Sequence, residues 1–125
     1  MELLKELPAE IRDVLNRFAD AWGSADPARV LAVMTDDCVY EASVGPEPGR
    51  TFRGAAELRA GLEAMFAYDA PARIEVTDVF GCGDRAAWEW RYYDAAHNLI
   101  AHGCDLFVLR DGRIAVKNAF RKTTG

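Results

Sequence analysis

The feature that most constrains the fold is a set of three strand-like runs that follow one another closely near the C-terminal end of the sequence. The first run, Arg85–Tyr93, is dominated by aromatic residues, and the other two, Leu99–Arg110 and Arg113–Lys122, are separated by Asp111-Gly112. This dipeptide is a strong signal for a two-residue hairpin turn. Strands joined by such short turns pair in opposite directions, so the sequence predicts an antiparallel sheet here.

A single acid, Asp105, lies in the second of these runs among mostly apolar residues. A carboxylate is costly to bury without a partner, by several kcal/mol or more. Three explanations are open: Asp105 faces a pocket, contacts a hidden cation, or is exposed on a one-sided sheet. Because acids in such surroundings tend to mark functional sites, Asp105 is the first candidate functional residue, with a purely structural acid as the alternative.

Three helices are predicted before the strand-rich part. Apolar residues follow a 3/4 spacing from Ile11 to Trp22, which is typical of one face of a helix. Asp26-Pro27 supplies a cap and a first-turn proline for a short second helix. The stretch Gly54–Tyr68 has the apolar stripe of a third helix.

Two further strands, Cys38–Ser43 and Arg73–Phe80, complete the order ααβαββββ. Proline-containing breaks are predicted at Val44–Arg50 and Ala70-Pro71. Helices early and strands late form an α+β pattern. We therefore expect a cone-shaped, curved antiparallel sheet packed on three N-terminal helices, with a cavity between the two layers unless large side chains fill it.

The composition argues against several classes of function. The formal net charge is −5 and the basic residues are scattered, which argues against nucleic acid as a partner. No apolar run approaches the ~20 residues of a membrane helix, and the acidic start Met1–Glu6 is unlike a secretion signal. A chain of 125 residues, half of them hydrophobic, is expected to form one domain over residues 1–125.

Neither a cofactor nor a metal is predicted. The three cysteines, Cys38, Cys82 and Cys104, have no close metal-type spacing, so we expect reduced thiols in a cytoplasmic protein. The two histidines, His97 and His102, straddle a hairpin without a cluster of carboxylates beside them. The sequence also has no Gly-rich phosphate loop.

Four stretches of the sequence carry a family resemblance: Phe18–Asp26, Met34–Tyr40, Phe52–Gly54 and Asp105–Ile114. Together and in this order they resemble the nuclear transport factor 2-like superfamily, and within it the SnoaL-like and ketosteroid isomerase-like branch. The resemblance covers nearly the whole chain and implies a cystatin-like fold formed by one SnoaL-like domain. This superfamily contains isomerases, cyclases, dehydratases, epoxide hydrolases and proteins without catalysis, so the fold alone does not define an activity.

The residues that ketosteroid isomerases use are only partly present. The resemblance implies that Phe18 replaces their helix tyrosine and Ala42 their aspartate base, whereas Asp105 matches their protonated acid, which donates a hydrogen bond to an oxyanion. Tyr40 matches a tyrosine of the limonene epoxide hydrolase-like pattern, but Ala42 replaces the companion asparagine. Polyketide cyclase-like members have an acid near the position of Asp105. Asp105 and Tyr40 are therefore the candidate catalytic residues.

Strand alternation sorts the side chains of the sheet into two faces. If Asp105 faces the cavity, so does Phe107, and the resemblance places Trp88 and Trp90 on the same side. For the last strand two registers are open, and they bring different side chains toward the cavity: Lys117, Ala119 and Arg121, or Val116, Asn118 and Phe120. The candidate ligand-binding residues are Phe18, Trp22, Trp88, Trp90, Phe107, Lys117 and Arg121.

Two functions are open. The first is a cavity protein that binds a hydrophobic small molecule and, as an enzyme, catalyses isomerisation, cyclisation or dehydration by proton transfer. Asp105 would be a neutral donor in a dry pocket, and an ionised base or a structural partner beside a cation. The second is a non-catalytic ligand-binding or dimerisation module. For both we expect a homodimer through the outer sheet face, around Cys104, Leu106 and Val108.

Overall fold

The structure is a computed structural model that describes residues 7–44, 49–68 and 73–123. Three expectations concern residues that lie wholly or largely outside these ranges: the absence of a secretion signal at Met1–Glu6, most of the break at Val44–Arg50, and the break at Ala70-Pro71.

The three predicted helices are confirmed. They are α1 (Ala9–Gly23), α2 (Pro27–Val33) and α3 (Gly54–Tyr68). The side chain of Asp26 accepts a hydrogen bond of 3.0 Å from the backbone N–H of Ala28, so it caps α2 as its sequence position indicates. The apolar stripe of α1 is buried against the sheet, with Phe18 and Leu15 almost fully removed from solvent.

Within the described residues, six strands form one sheet. They are β1 (Met34–Glu41), β2 (Thr51–Arg53), β3 (Arg73–Cys82), β4 (Arg85–Tyr93), β5 (Leu99–Arg110) and β6 (Arg113–Thr123), in the spatial order β2-β1-β6-β5-β4-β3. The three-residue strand β2 is not predicted from the sequence because it is too short to show an alternating pattern. Register shifts interrupt the long pairings, and irregularities of this kind bend a sheet.

The α+β fold is confirmed, with one correction to the prediction of an antiparallel sheet. Strands β1 and β6 pair in parallel, so the sheet is mixed. The physical reason is that short turns impose antiparallel pairing only on consecutive strands. Between β1 and β6 the chain passes through α3 and four other strands, so no turn determines their relative direction.

The register of the last strand, left open by the sequence, follows from the pairing of β5 with β6. Asp105 lies opposite Ala119, and Phe107 lies opposite Lys117. Lys117, Ala119 and Arg121 therefore share the inner face with Asp105. On the other side of β5, Asp105 lies opposite Trp88 of β4.

Gly103 allows β5 and β6 to approach each other closely beside Asp105 and its partners. A Cβ atom at this position would lie 1.9 Å from the carbonyl oxygen of Phe120 and 2.8 Å from the indole ring of Trp90. Any larger residue would push β5 away from β6 or displace the indole, so the glycine is needed for this packing.

The outer face of the sheet carries several exposed apolar side chains. Phe80 and Phe120 are 60% and 50% exposed, and Leu106 is also exposed. In the parts of the chain that the structure describes, no helix combines the length and the apolar character needed to cross a bilayer.

Candidate functional site

A cavity of about 370 Å³ lies between the helices and the inner face of the sheet. Helices α1 and α3 contribute residues to one wall, and all strands except the short β2 contribute to the other. Its described lining consists of Phe18, Ala19, Trp22, Gly23, Tyr40, Ala42, Ser43, Val44, Met65, Arg73, Ile74, Val76, Trp88, Trp90, Tyr92, Asp105, Lys117, Ala119 and Arg121. A volume of this size is in the range of small-molecule sites. The large aromatic side chains therefore surround the cavity without filling it.

Asp105 lies in the wall of this cavity and is only 4% exposed. Its Oδ2 accepts a hydrogen bond of 2.7 Å from Nε1 of Trp88, the residue directly opposite on β4. Its Oδ1 lies 3.2 Å from Nζ of Lys117 but accepts no aligned hydrogen bond from any residue that the structure describes. One carboxylate oxygen is therefore held by the indole, and the other retains lone pairs for a further partner.

Lys117 supplies the cation whose existence the sequence left open. It is 4% exposed, and its Nζ donates a hydrogen bond of 2.9 Å to the hydroxyl oxygen of Tyr40. The parallel pairing of β1 with β6 places the two residues opposite each other. Three aromatic rings surround the ammonium, with Nζ 4.4 Å from the ring centre of Tyr40, 5.2 Å from Trp22 and 5.6 Å from Phe18.

The surroundings keep both donors of this cluster protonated. Burial alone would lower the pKa of Lys117, but the charge of Asp105 and the contact with Tyr40 outweigh it, so the pKa of Lys117 is raised. Burial also raises the pKa of the Tyr40 phenol, against the opposing effect of Lys117. Lys117 therefore stays an ammonium at neutral pH, and Tyr40 keeps the proton of its hydroxyl group.

Most of the residues predicted from the sequence line the cavity, but Phe107 does not. Asp105, Tyr40, Phe18, Trp22, Trp88, Trp90, Lys117 and Arg121 are part of the lining. Phe107 is fully buried behind it, in edge contacts with Phe18 and Trp88 whose ring centres are 5.7 and 5.3 Å away. Alternation places its side chain on the same face of β5 as Asp105, but it is buried against these two lining rings and is not part of the lining itself.

Other lining residues were not among the predicted ligand-binding residues. Tyr92 follows the inward alternation of β4, and burial raises its pKa to about 12. Ile74 and Val76 follow the same rule on β3, and Met65 lies on the apolar stripe of α3. These side chains were identifiable from periodicity, whereas their distance from Asp105 depends on tertiary structure.

The cluster has the groups needed for proton transfer. A carboxylate oxygen without an aligned hydrogen bond lies beside an ammonium that contacts a phenol, and all three residues line a cavity with aromatic walls. Within the described ranges no group of three or more His, Cys, Asp or Glu side chains is arranged to hold a metal ion.

Three helices and a curved mixed sheet around such a cavity define an NTF2-like protein. Within this class the chain belongs to the SnoaL-like domain family, whose family model matches residues 15–117. No curated protein matches the sequence.

Solved structures support the same assignment. An NTF2-like protein of unknown function from Mesorhizobium loti is 30% identical, with 90% of this chain and 91% of that chain covered and a TM-score of 0.72. A protein from Sinorhizobium meliloti, provisionally named a polyketide cyclase, is 21% identical, with coverages of 93% and 97% and a TM-score of 0.70. A protein with a ketosteroid isomerase-like fold from Catenulispora acidiphila, in complex with trimethylamine, is 16% identical, with coverages of 86% and 84% and a TM-score of 0.71. The last two show similarity of fold alone.

Proposed function

We propose that this chain binds a hydrophobic small molecule in the cavity and catalyses a proton transfer on it without a cofactor, as an isomerase, cyclase or dehydratase. The observation that carries this proposal is Asp105, which lines an aromatic cavity and whose buried Oδ1 lies 3.2 Å from Nζ of Lys117 without an aligned hydrogen bond. A base needs a lone pair that can take a proton, and a substrate needs a cavity that the base lines.

In the proposed mechanism Asp105 is the base. Its Oδ1 takes a proton from a carbon atom next to a carbonyl group, and the electron pair of the broken C–H bond moves onto the carbonyl oxygen. Tyr40 donates its hydroxyl proton in a hydrogen bond to that oxygen, while Nζ of Lys117 donates to the hydroxyl of Tyr40 and strengthens it as a donor. In a ketone with a β,γ C=C bond, Asp105 then returns the proton to the γ-carbon: the electron pair on oxygen re-forms the C=O bond, the C=C bond shifts to the α,β position, and the isomerisation is complete.

Lys117 favours this role of Asp105 over that of a neutral donor. The ammonium lies 3.2 Å from Oδ1 of Asp105, a contact that suits a carboxylate acting as hydrogen-bond acceptor and not as donor. Nε1 of Trp88 donates its hydrogen bond to Oδ2, so the second carboxylate oxygen of Asp105 is also used as an acceptor. Asp105 therefore has a different role here from the protonated acid of ketosteroid isomerases, and the oxyanion donor is Tyr40.

Deuterium incorporation tests the proposed chemistry without knowledge of the natural substrate. The wild type is incubated in D₂O with a panel of bicyclic and polycyclic ketones, and uptake of deuterium next to the carbonyl group is followed by mass spectrometry. We expect faster uptake for some of the ketones and a loss of about 100-fold or more in Asp105→Asn. The matched control is Asp36→Asn, which removes an exposed acid from β1. An Asp105→Asn variant that retains full exchange would exclude Asp105 as the base.

The second candidate function is a non-catalytic ligand-binding module. The position that the family resemblance assigns to a base is Ala42, which lines the cavity without a titratable group. The contact between Asp105 and Lys117 also suits a structural ion pair. Ligand binding to the wild type without deuterium exchange in any ketone would favour this module.

We also propose that the outer sheet face forms a homodimer contact, since Phe80, Leu106 and Phe120 expose apolar side chains there. In a symmetric dimer each residue of this face would meet the same face of a second copy. Light scattering after gel filtration tests this proposal: Phe120→Lys should halve the particle mass, whereas Glu57→Lys, on the helical side, should leave it unchanged. A monomeric wild type at high concentration would refute the dimer.

A cytoplasmic location, with reduced thiols, remains a prediction.

A further inference from the structure

The described lining of the cavity has more positively than negatively charged residues, although the chain as a whole has a formal net charge of −5. The charged residues in its described lining are Arg73, Asp105, Lys117 and Arg121. Arg73 has partners away from the cluster: its guanidinium lies 4.0 Å from the ring centre of Tyr93 and 3.5 Å from a carboxylate oxygen of Glu75. Of the two other cations, Lys117 lies beside Asp105, and Arg121 has contacts of its own.

One of these cations occupies the aromatic site itself. The rings of Tyr40, Trp22 and Phe18 surround the ammonium of Lys117, at distances typical of cation–π contacts. A ligand with a positive charge would normally be stabilised by such rings. Here it would meet the charge of Lys117 instead, so the site disfavours cationic ligands.

Arg121 is the second cation and lies further along the same strand. It is four residues beyond Lys117 on the same face of β6, which separates the two backbone positions by about 13 Å. Its guanidinium carbon lies 5.6 Å from the ring centre of Tyr92, which also lines the cavity. A guanidinium has five donors in a planar fork that matches a carboxylate, so Arg121 can bind an anionic group in addition to its other contacts.

The charge of Asp105 determines where in the cavity a ligand anion would be bound. A ligand carboxylate next to Asp105 would be repelled by a buried like charge, whereas Arg121 pairs with Gly103, about 7 Å along β5 from Asp105, so a carboxylate bound there would meet a weaker repulsion. Trp88 lies opposite Asp105, and Trp90 lies opposite Gly103, which also pairs with Arg121, so each of these two positions has an indole beside it.

We propose that the cavity selects an apolar organic anion, such as a carboxylic acid with a flat hydrocarbon body, whose carboxylate is bound by Arg121 and whose far end reaches Tyr40 and Asp105. The inference rests on the proposed function, since it names the substrate class of that same cavity. Arg121 is in this sense the specificity-determining residue, and Lys117 excludes the cationic counterpart.

Three probes of matched shape test the selection: 2-naphthylacetate, 2-naphthylacetamide and 2-naphthylethylammonium. Binding to the wild type is measured by calorimetry, and occupancy of the cavity by the NMR signals of the indole N–H groups, because all three tryptophans of the chain line it. We expect the acid to bind about tenfold more tightly than the amide, as a charge-assisted fork to Arg121 implies, and the ammonium to bind most weakly.

Variants of Arg121 and Lys122 distinguish a direct contact between Arg121 and the ligand carboxylate from the general electrostatic effect of the protein's charge. Arg121→Met should weaken binding of the acid about tenfold while binding of the amide changes less than twofold. Lys122→Met removes the same charge from the neighbouring exposed position and should change neither. Arg121→Lys, which keeps the charge without the fork, should bind the acid with intermediate affinity.

The outcomes are distinct. The inference is overturned if the wild type binds the amide as tightly as the acid, or if Arg121→Met and Lys122→Met weaken binding of the acid equally. The proposed function would still stand in either case, because deuterium exchange on neutral ketones does not depend on an anion site at Arg121. If none of the probes shifts an indole signal, the inference is also overturned. Failure of the proposed function would show instead as absence of deuterium exchange, with the ranking of the three probes intact.

Discussion

Replacement of Lys117 by methionine is the sharpest test of the buried cluster. Methionine has a similar length and packs well against aromatic rings, so the three rings around Nζ keep a partner. The ammonium, however, is lost, and Asp105 and Tyr40 remain in a site where they are 4% and 2% exposed. Removing one member of a buried ion pair typically costs about 3–5 kcal/mol, because the remaining charge stays uncompensated.

We take the lower end, about 3 kcal/mol, because Trp88 still donates its hydrogen bond to Asp105 in the variant. With a urea dependence of about 2 kcal/mol per molar, the midpoint of unfolding at neutral pH should fall by about 1.5 M. The control is Lys122→Met, which removes an exposed lysine from the same strand and should cost less than about 0.5 kcal/mol. Equal midpoints for the two variants would refute the reasoning, since they would mean that the ion pair contributes nothing to the folded state.

The remaining predictions concern other parts of the same site. Trp88→Phe removes the hydrogen bond of 2.7 Å to Asp105 and should lower the free energy of unfolding by about 1–3 kcal/mol in urea titrations; a change as small as that of an exposed substitution would contradict the importance of this bond. Gly103→Ala places a Cβ atom 1.9 Å from the carbonyl oxygen of Phe120 and should lower the free energy of unfolding by about 1–3 kcal/mol. Gly23→Ala, where nothing lies within 4 Å of the added Cβ, should be neutral or stabilising. Similar urea midpoints for the two variants would show that β5 and β6 can separate without loss of stability. The pKa values of Lys117 and Tyr92 are raised in the folded state, the latter to about 12, so their contribution to stability should be complete below about pH 10 and should decline as the pH rises through the folded-state values. Thermal unfolding between pH 8 and 12 measures this, and a midpoint that rises above pH 10 would contradict the sign.

The sequence predicted the helices and the inner face of the sheet well because both depend on local periodicity. Asp26 and Pro27 identify the start of α2, and alternation along β5 places Phe107 on the same face as Asp105, whereas the inward position of Trp88 and Trp90 came from the family resemblance. The parallel pairing of β1 with β6 was missed because it depends on the path of the chain through α3 and four other strands. Pairing between sequence-distant strands leaves no local pattern from which it can be read.

The chemistry of the site was predictable only as far as the residue types. Asp105 was identified because a lone acid in an apolar strand requires a partner, but two registers of β6 offered different partners. The pairing of Phe107 with Lys117 selects the register that brings the cation to the acid. Phe107 lies on the face of β5 that alternation predicts, yet it is buried against Phe18 and Trp88 and does not line the cavity. Alternation determines the direction of a side chain, and only packing determines its depth.

Whether the ion pair serves stability or chemistry can be decided by replacing both of its members. A buried ion pair is often no more stable than an apolar pair of similar volume, because desolvation of the two charges offsets their attraction. We therefore expect the double variant with Asp105→Leu and Lys117→Met to recover most of the stability that Lys117→Met alone loses, within about 1 kcal/mol of the wild type in urea titrations.

The double variant should at the same time lose deuterium exchange on ketones, since the base and the cation that polarises Tyr40 are both absent. Stability without exchange would mean that folding does not require the charges, and that the pair is kept for what it does to a ligand. If the double variant is instead as unstable as Lys117→Met alone, the pair is a structural requirement of this core, and the non-catalytic module becomes the better account of the cavity.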